Sequence, residues 1–381
     1  MSTTSMILNE EQVQLQDSAK ALVADQWTVG ELRKLRRETG RGYPEALWRQ
    51  AAELGWLAIP FEERYGGLGL GLADLGVILE ELGRGLVVLP ILSSVVLGGG
   101  ALRHGGSDAQ KSAWLPRVCD GSAVLTLAAQ ETDRHDPYAV DTTATPDGDG
   151  FLLSGRKVFV PDGHAADAIV VVARTSGAAD QRAGLTLFLV ESGSAGVTVQ
   201  RNLLLDSRVA ANITLNQVRV SADTVIGTRD HGADVLDVVL AEAAVALSAD
   251  MLGTIQQTFT ITLDYLKVRE QFGAKIGSFQ GLKHRAARWF CEQELSRSIV
   301  LQALRALDAK AENAQLLASA CKARVSDTAR LSGQEGVQMH GGIGVTDEHD
   351  IGLYMKRARV SEMLFGDAAF HRNRFATLKG Y

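Results

Sequence analysis

A mainly α-helical chain with a central β region is predicted by three observations. From Asn9 to about Val118, apolar residues recur mostly at three- and four-residue steps, the spacing of a helix face turned to a core. From about Ser122 the pattern changes to short runs of Val, Ile, Leu, Phe and Thr parted by Gly, Asp and Pro, as strands and turns require. From about Asp230 to the end, helical spacing returns in several long segments. These changes divide the chain into a helical domain (1–121), a β domain (122–228) and a helical bundle (229–381).

Asn9 is a fair N-cap for the first helix, with Glu10 and Glu11 in its first turn and Gln12 at the capping-box position. Loops follow at Gly40–Tyr43 and Pro60–Gly71. The glycine-rich Tyr65–Gly71 does not satisfy G-x-G-x-x-G and follows no strand, so it is a tight loop leading into a helix over Asp74–Gly83. Gly85–Leu102 is strongly apolar but broken by Pro90, Ser93, Ser94 and three glycines. It predicts a helix–turn–helix in a core, not a membrane span. Strands are expected at Phe151–Leu153, Lys157–Val160, Ala168–Val172, Leu185–Val190, Val197–Gln200 and Ile213–Val220. No helix-length segment separates them, so antiparallel pairing fits better than βαβ units. In the last third, Ala314, Ala318, Cys321, Val325 and Thr328 mark one buried helical stripe.

A chain of 381 residues with 46% hydrophobic and 22% charged residues has the make-up of a globular protein of two or three domains. Its net charge of −6 gives no electrostatic footprint for nucleic acid. Cys119, Cys291 and Cys321 are odd in number and widely spaced, which fits unpaired thiols in a reducing compartment. The opening MSTTSMILNEEQ has neither the basic nor the apolar region of a signal peptide, and a cytoplasmic location is expected.

The most informative stretch is Tyr265–Gln280, YLKVREQFGAKIGSFQ. Leu252, Ile255, Phe259, Leu263 and Leu266 form a helical stripe that breaks at Phe272-Gly273 and resumes from Phe279. Within the joint, Arg269, Gln271, Phe272 and Gln280 offer a cation, two amides and an aromatic ring, a set suited to phosphates and a heteroaromatic base. A second glycine-rich element, Gln338-Met339-His340-Gly341-Gly342-Ile343-Gly344, lies near the end of the chain.

Together, R-x-Q-F-G-x-x-I-x-x-F-Q and Q-M-H-G-G-I-G, in this order and at this separation, resemble the flavin-binding elements of the acyl-CoA dehydrogenase family, and the resemblance extends over essentially the whole chain. The phrases LRHGG, IGSFQ, HGGIG and FGD are similar to the small-subunit branch of bacterial pimeloyl-CoA dehydrogenases. The resemblance implies an N-terminal helical domain, an antiparallel β-barrel middle domain and a C-terminal four-helix bundle. It implies FAD as cofactor, an acyl-CoA thioester as substrate and an electron-transfer flavoprotein as electron acceptor. It also implies assembly into a homo-oligomer, or a heterotetramer with a homologous chain. Arg269, Gln271, Phe272, Phe279 and Gln280, with Gln338, Gly341, Gly342 and Gly344, are then flavin-binding positions that serve mainly a neighbouring subunit's cofactor.

The other half of the flavin site departs from the family's pattern. Gln130-Glu131-Thr132-Asp133 stands where the family usually has Thr-Glu-Pro, leaving Thr132 as a candidate contact. Phe159-Val160-Pro161 replaces the usual Trp-Ile-Thr, so Phe159 can stack on a ring but Pro161 offers no hydroxyl. The usual catalytic glutamate position holds Phe365. Ala243 holds the alternative base position, and Ala241 and Ala244 hold two acyl-CoA contacts. Asp367 is a candidate substitute base, with the N-cap of a helix beginning at Ala368 as its structural alternative. Glu242 is a second candidate, although one helical step turns a side chain by about 100°. Glu362 and Asp250 read as surface or interface charges.

Three functions stay open: an acyl-CoA dehydrogenase subunit, a non-catalytic partner that completes the flavin site of a chain bearing the base, and a flavin oxidase working from Asp367. No metal site is expected. Thr346–Asp350 is rich in acids but fits a helix start, and no zinc or EF-hand spacing occurs. His104, His164 and His284 have no acid or nucleophile at motif spacing, and no G-x-S-x-G elbow is present.

Overall fold

The structure, a computed structural model, describes residues 7–37 and 40–381. The first six residues of the leader reading lie outside the described residues. The helices are α1 (Glu10–Gln26), α2 (Val29–Leu35), α3 (Glu45–Glu53), α4 (Leu72–Arg84), α5 (Gly99–Gly105), α6 (Asp108–Cys119), α7 (Gly232–Val268), α8 (Gln280–Asp308), α9 (Ala314–His340), α10 (Ile351–Met363) and α11 (Ala368–Leu378). The strands are β1 (Leu125–Ala128), β2 (Thr143–Asp147), β3 (Gly150–Pro161), β4 (Ala168–Arg174), β5 (Leu185–Glu191), β6 (Val197–Leu203), β7 (Val209–Ser221) and β8 (Val225–Ile226), with a small hairpin of β9 (Glu270–Gln271) and β10 (Ala274–Lys275). Chain contacts group these elements into two compact units.

One unit holds Lys34–Gly71 and Val88–Ala243. Its centre is a mixed sheet in the order β6-β7-β3-β2-β4-β5-β8, with β1 added beside β4. Pairing is antiparallel as expected, except that β1 and the first residue of β2 run parallel to β4. Phe151, Leu153, Ile169, Val171, Phe188, Ile213 and Val218 fill one buried cluster, with the Phe151 and Phe188 rings edge to face at 5.2 Å. Of the helix–turn–helix expected over Gly85–Leu102, the turn falls at residues 85–90, and the three glycines do not break the helix: a π-helical Leu92–Gly98 runs directly into α5. Its glycines serve close packing. A Cβ on Gly98 would lie 2.4 Å from the Leu125 side chain, and one on Gly99 2.5 Å from the Phe61 ring.

The other unit holds Met1–Arg33, Leu72–Val87 and Ala244–Tyr381. The expected cap of α1 is present: Asn9 Oδ1 accepts from the Gln12 amide at 2.7 Å, and the Gln12 side chain returns the bond. In this unit α9 packs on α8, α10 and α11, and α4 packs on α1 and α8. The carboxy-terminal part of α7 meets α8 through Phe259 and Trp289, whose rings stand edge to face at 5.0 Å. No helix among the described residues is long and apolar enough to cross a membrane.

Candidate cofactor and substrate site

The joint after α7 is an exposed β-hairpin. Phe272 and Gly273 both have positive φ, +54° and +75°, as the two central residues of a type I′ turn require. Glycine adopts that backbone freely, whereas a bulky aromatic is strained there by about 1–3 kcal/mol. Phe272 is 90% exposed at the tip and touches the Phe279 ring edge to face at 6.4 Å. Below it, Gly277 lets the returning chain lie against Leu266, since a Cβ there would sit 2.7 Å from the Leu266 carbonyl oxygen. The side chains of Arg269, Gln271 and Gln280 are exposed and engage no partner among the described residues.

The second glycine element is folded onto this joint within the same unit. The α9 helix ends at His340, and Gly341 turns out of it with φ +65° and ψ −140°, a backbone that demands glycine. A Cβ on Gly341 or Gly342 would meet nothing within 4 Å, which leaves room for a ligand above the loop, whereas Gly344 is pressed against the Val337 carbonyl oxygen. The His340 ring stacks on Tyr265 at 4.5 Å and 26°, and His349 lies 4.5 Å from His340 on the other contact. His340 is 3% exposed. Its Nδ1 donates to the Gly336 carbonyl at 2.7 Å, so Nε2 is left as a buried acceptor without a partner among the described residues. Burial holds this imidazole below its ordinary pKa. A free guanidinium, the exposed amides of Gln271, Gln280 and Gln338, and open glycine backbone fit a dinucleotide with phosphates.

On the sheet, Phe159 sits at a bulge of β3 against β7, with φ +52° and its ring partly exposed. Its neighbour Pro161 takes a hydrogen bond on its carbonyl from Thr126 Oγ1 at 2.6 Å. Thr132 is less available than expected, because its hydroxyl bonds to the Arg134 carbonyl and amide within its own loop. Glu131, beside it, was not singled out from the sequence. Its carboxylate takes the fully buried Lys157 Nζ at 2.5 Å and the amides of Asp141 and Thr142, tying the loop to β3. Burial opposes the charge, yet Lys157 and these N–H groups keep Glu131 below the usual carboxylate range, while burial lowers Lys157 to about 8. The one clue in the sequence was a lysine inside an apolar strand.

The turn between α10 and α11 is held from inside. Lys322 is fully buried and donates to Ser326 Oγ at 3.1 Å and to the carbonyls of Glu362 and Gly366 at 3.0 Å each. His371 Nε2 meets the Phe365 carbonyl at 2.8 Å, and Phe365 is buried with φ +58°. Asp367 caps α11, accepting from the Phe370 amide at 2.8 Å. In the sheet-containing unit, Glu242 is buried with Arg103 at 2.5 Å and His104 at 2.9 Å. Its geometry is that of an ion-paired carboxylate, not the free base considered from the sequence. Of the two acids read as surface or interface charges, Glu362 is buried between Arg330 and Arg359, and Asp250 is partly buried 3.8 Å from the buried Arg357. Among the described residues the Thr346–Asp350 acids form no group that could hold a metal ion; Asp347 and Asp350 pair with Arg33.

Profiles of the acyl-CoA dehydrogenase N-terminal, middle and C-terminal domains match residues 9–122, 126–218 and 230–377. The chain is 32% identical to acyl-CoA dehydrogenase IpdE2 of Mycobacterium tuberculosis over 358 residues, covering 93% of each. The chain belongs to the acyl-CoA dehydrogenase family. Solved relatives agree: a Tcur3481-Tcur3483 steroid ACAD variant matches with TM-score 0.88 and 32% identity over 97% of this chain and 98% of its own. The ChsE4-ChsE5 complex of Mycobacterium tuberculosis matches with TM-score 0.89 and 26% identity over 99% of each chain. Acyl-CoA dehydrogenases are FAD-dependent oxidoreductases acting on CH–CH groups. In this chain the side chains of Arg269, Gln271, Gln280 and Gln338, the candidate flavin positions, are uncommitted among the described residues, while each candidate acid already has a structural partner.

Proposed function

We propose that this chain is a subunit of a heteromeric acyl-CoA dehydrogenase. In this reading it lends its hairpin and its Gln338–Gly344 loop to an FAD site, and a homologous chain supplies the catalytic carboxylate. When bound, the flavin supplies the acceptor for the hydride leaving the β carbon of an acyl-CoA. This chain's own part is to hold the nucleotide with Arg269 and the three amides and to keep water from it with Phe272 and Phe279. The observation that carries the reading is the state of its acids. Proton abstraction needs a carboxylate within hydrogen-bond reach of the substrate and free to accept. Asp367 is a helix cap, Glu242 an ion pair with Arg103, and Phe365 stands at the family's usual base position. Two solved relatives carry paired names, Tcur3481-Tcur3483 and ChsE4-ChsE5, which supports a two-chain assembly here.

The electron acceptor in this reading is an electron-transfer flavoprotein and the compartment the cytoplasm. The rival, own-chain catalysis from Asp367 as dehydrogenase or oxidase, asks a carboxylate whose Oδ1 already accepts the Phe370 amide to take the substrate proton on Oδ2. Light scattering with flavin absorbance on the chain alone and co-expressed with a homologous, acid-bearing chain separates the two. The heteromer should form preferentially and gain flavin per chain. A flavin-replete homomer that ignores the second chain contradicts the proposal.

A further inference from the structure

The two flavin-facing elements are about 70 residues apart in sequence, yet one set of rings joins them. Tyr265 is in the last turn of α7, and its carbonyl accepts the Arg269 amide at 2.9 Å, so its position sets that of the hairpin root. His340 is the last residue of α9, directly before Gly341. The face-to-face stack at 4.5 Å therefore fixes one element against the other, and His349 closes the set, 4.5 Å from His340 and 6.3 Å from Tyr265. The His349 ring is itself held, since its Nδ1 accepts from the Ile351 amide that starts α10.

We propose that Tyr265, His340 and His349 form an aromatic lock that couples the two elements, so that they keep or lose flavin as a unit, and that acid opens the lock. This rests on the proposal that the two elements hold flavin. Tyr265 and His340 are positioning residues here, acting through Arg269 and the glycine loop.

The acid sensitivity follows from the hydrogen bonds. With Nδ1–H given to Gly336, the proton taken up by His340 must go to Nε2, where no acceptor waits in a buried site. The nearby charged groups do not offset it. His349 adds repulsion when charged, Asp347 and Asp350 are engaged by Arg33, Asp264 on α7 is paired with Lys267, and Glu335 on α9 is paired with Arg285. Because burial depresses the imidazole in the folded protein, its stabilising contribution is whole above the unfolded value, about 6.5, and is lost as pH falls through the lower folded value.

The test follows flavin release by recovery of free-flavin fluorescence from pH 8 to 4, on the flavin-loaded assembly. Tyr265→Phe keeps the ring and should match wild type, whereas Tyr265→Ala should weaken retention about tenfold or more. His340→Phe keeps a ring that cannot titrate, and its release midpoint should move to lower pH. Hydrogen exchange should show the hairpin and the 338–344 loop losing protection together in Tyr265→Ala. A wild-type release midpoint in His340→Phe, or full retention in Tyr265→Ala, overturns the lock. If Arg269→Ala also leaves retention unchanged, the underlying flavin assignment fails as well; if Arg269→Ala loses flavin, only the lock fails.

Discussion

The Asp367 carboxylate accepts the Phe370 amide at 2.8 Å, three residues into the helix that Asp367 begins. One side chain thus satisfies one of the amides that a helix start leaves without partners. Asp367→Ala should cost about 0.5–2 kcal/mol in chemical denaturation, and Asp367→Asn, which caps equally well, should be near neutral. Flavin content should change in neither.

Arg269 is the exposed cation at the root of the hairpin. Arg269→Ala should weaken flavin binding by roughly 1.5–3 kcal/mol, on the order of tenfold or more, while leaving thermal stability of the apoprotein unchanged. Equilibrium dialysis of flavin against the two proteins measures this directly. An unchanged dissociation constant would remove Arg269 from the site.

Gly253 on α7 and Gly83 on α4 mark a close backbone approach inside one unit. A Cβ at Gly253 would lie 1.7 Å from the Glu80 carbonyl oxygen, and one at Gly83 1.9 Å from that of Asp250. The obstacle is backbone on both sides, so neither helix can yield by a rotamer change. Gly253→Ala should therefore destabilise by at least the roughly 1–3 kcal/mol typical of overpacking. Thermal unfolding checks it, and a stable, unshifted variant would mean that the helices separate easily.

Burial lowers Lys322 to about 7, well below the ordinary lysine value of about 10.4. The unfolded chain therefore binds more protons between these two values, and this group's contribution to stability rises as pH increases from about 7 to about 10. Lys322→Met loses that rise and leaves the Glu362 and Gly366 carbonyls without their donor. The stability gap between wild type and variant should widen from pH 6 to pH 9, as read by urea unfolding at each pH. A constant gap would contradict the assignment.

Much of the fold could be read from periodicity. The six expected strands are all present, although Phe151–Leu153 and Lys157–Val160 are two parts of one bulged β3. What escaped were strands without alternation. β1 is four residues, all buried, and a short apolar run has no period to tell strand from helix. β2 contains Pro146, which argues against a strand unless the residue stands where no amide is needed. Local signals such as the Asn9 cap and the Phe272-Gly273 turn were legible because they depend on adjacent residues. Partnerships across the sequence were not: Glu242 with Arg103, Lys322 with the α10–α11 turn, and His340 with Tyr265 join residues 40 to 139 positions apart or similarly distant, and no spacing rule connects them.

The central claim is that this chain needs a second chain's carboxylate to act on an acyl-CoA. The direct measurement is anaerobic bleaching of bound flavin by a panel of acyl-CoA thioesters. It is run on the homomer, on the assembly with a homologous acid-bearing chain, and on each with Asp367→Asn. A missing general base typically costs about 100- to 10,000-fold in rate, so the contrast should be plain. The account predicts an unbleached homomer, and bleaching in the mixed assembly that survives Asp367→Asn in this chain. Rapid bleaching by the homomer, abolished in Asp367→Asn with flavin retained, would contradict it.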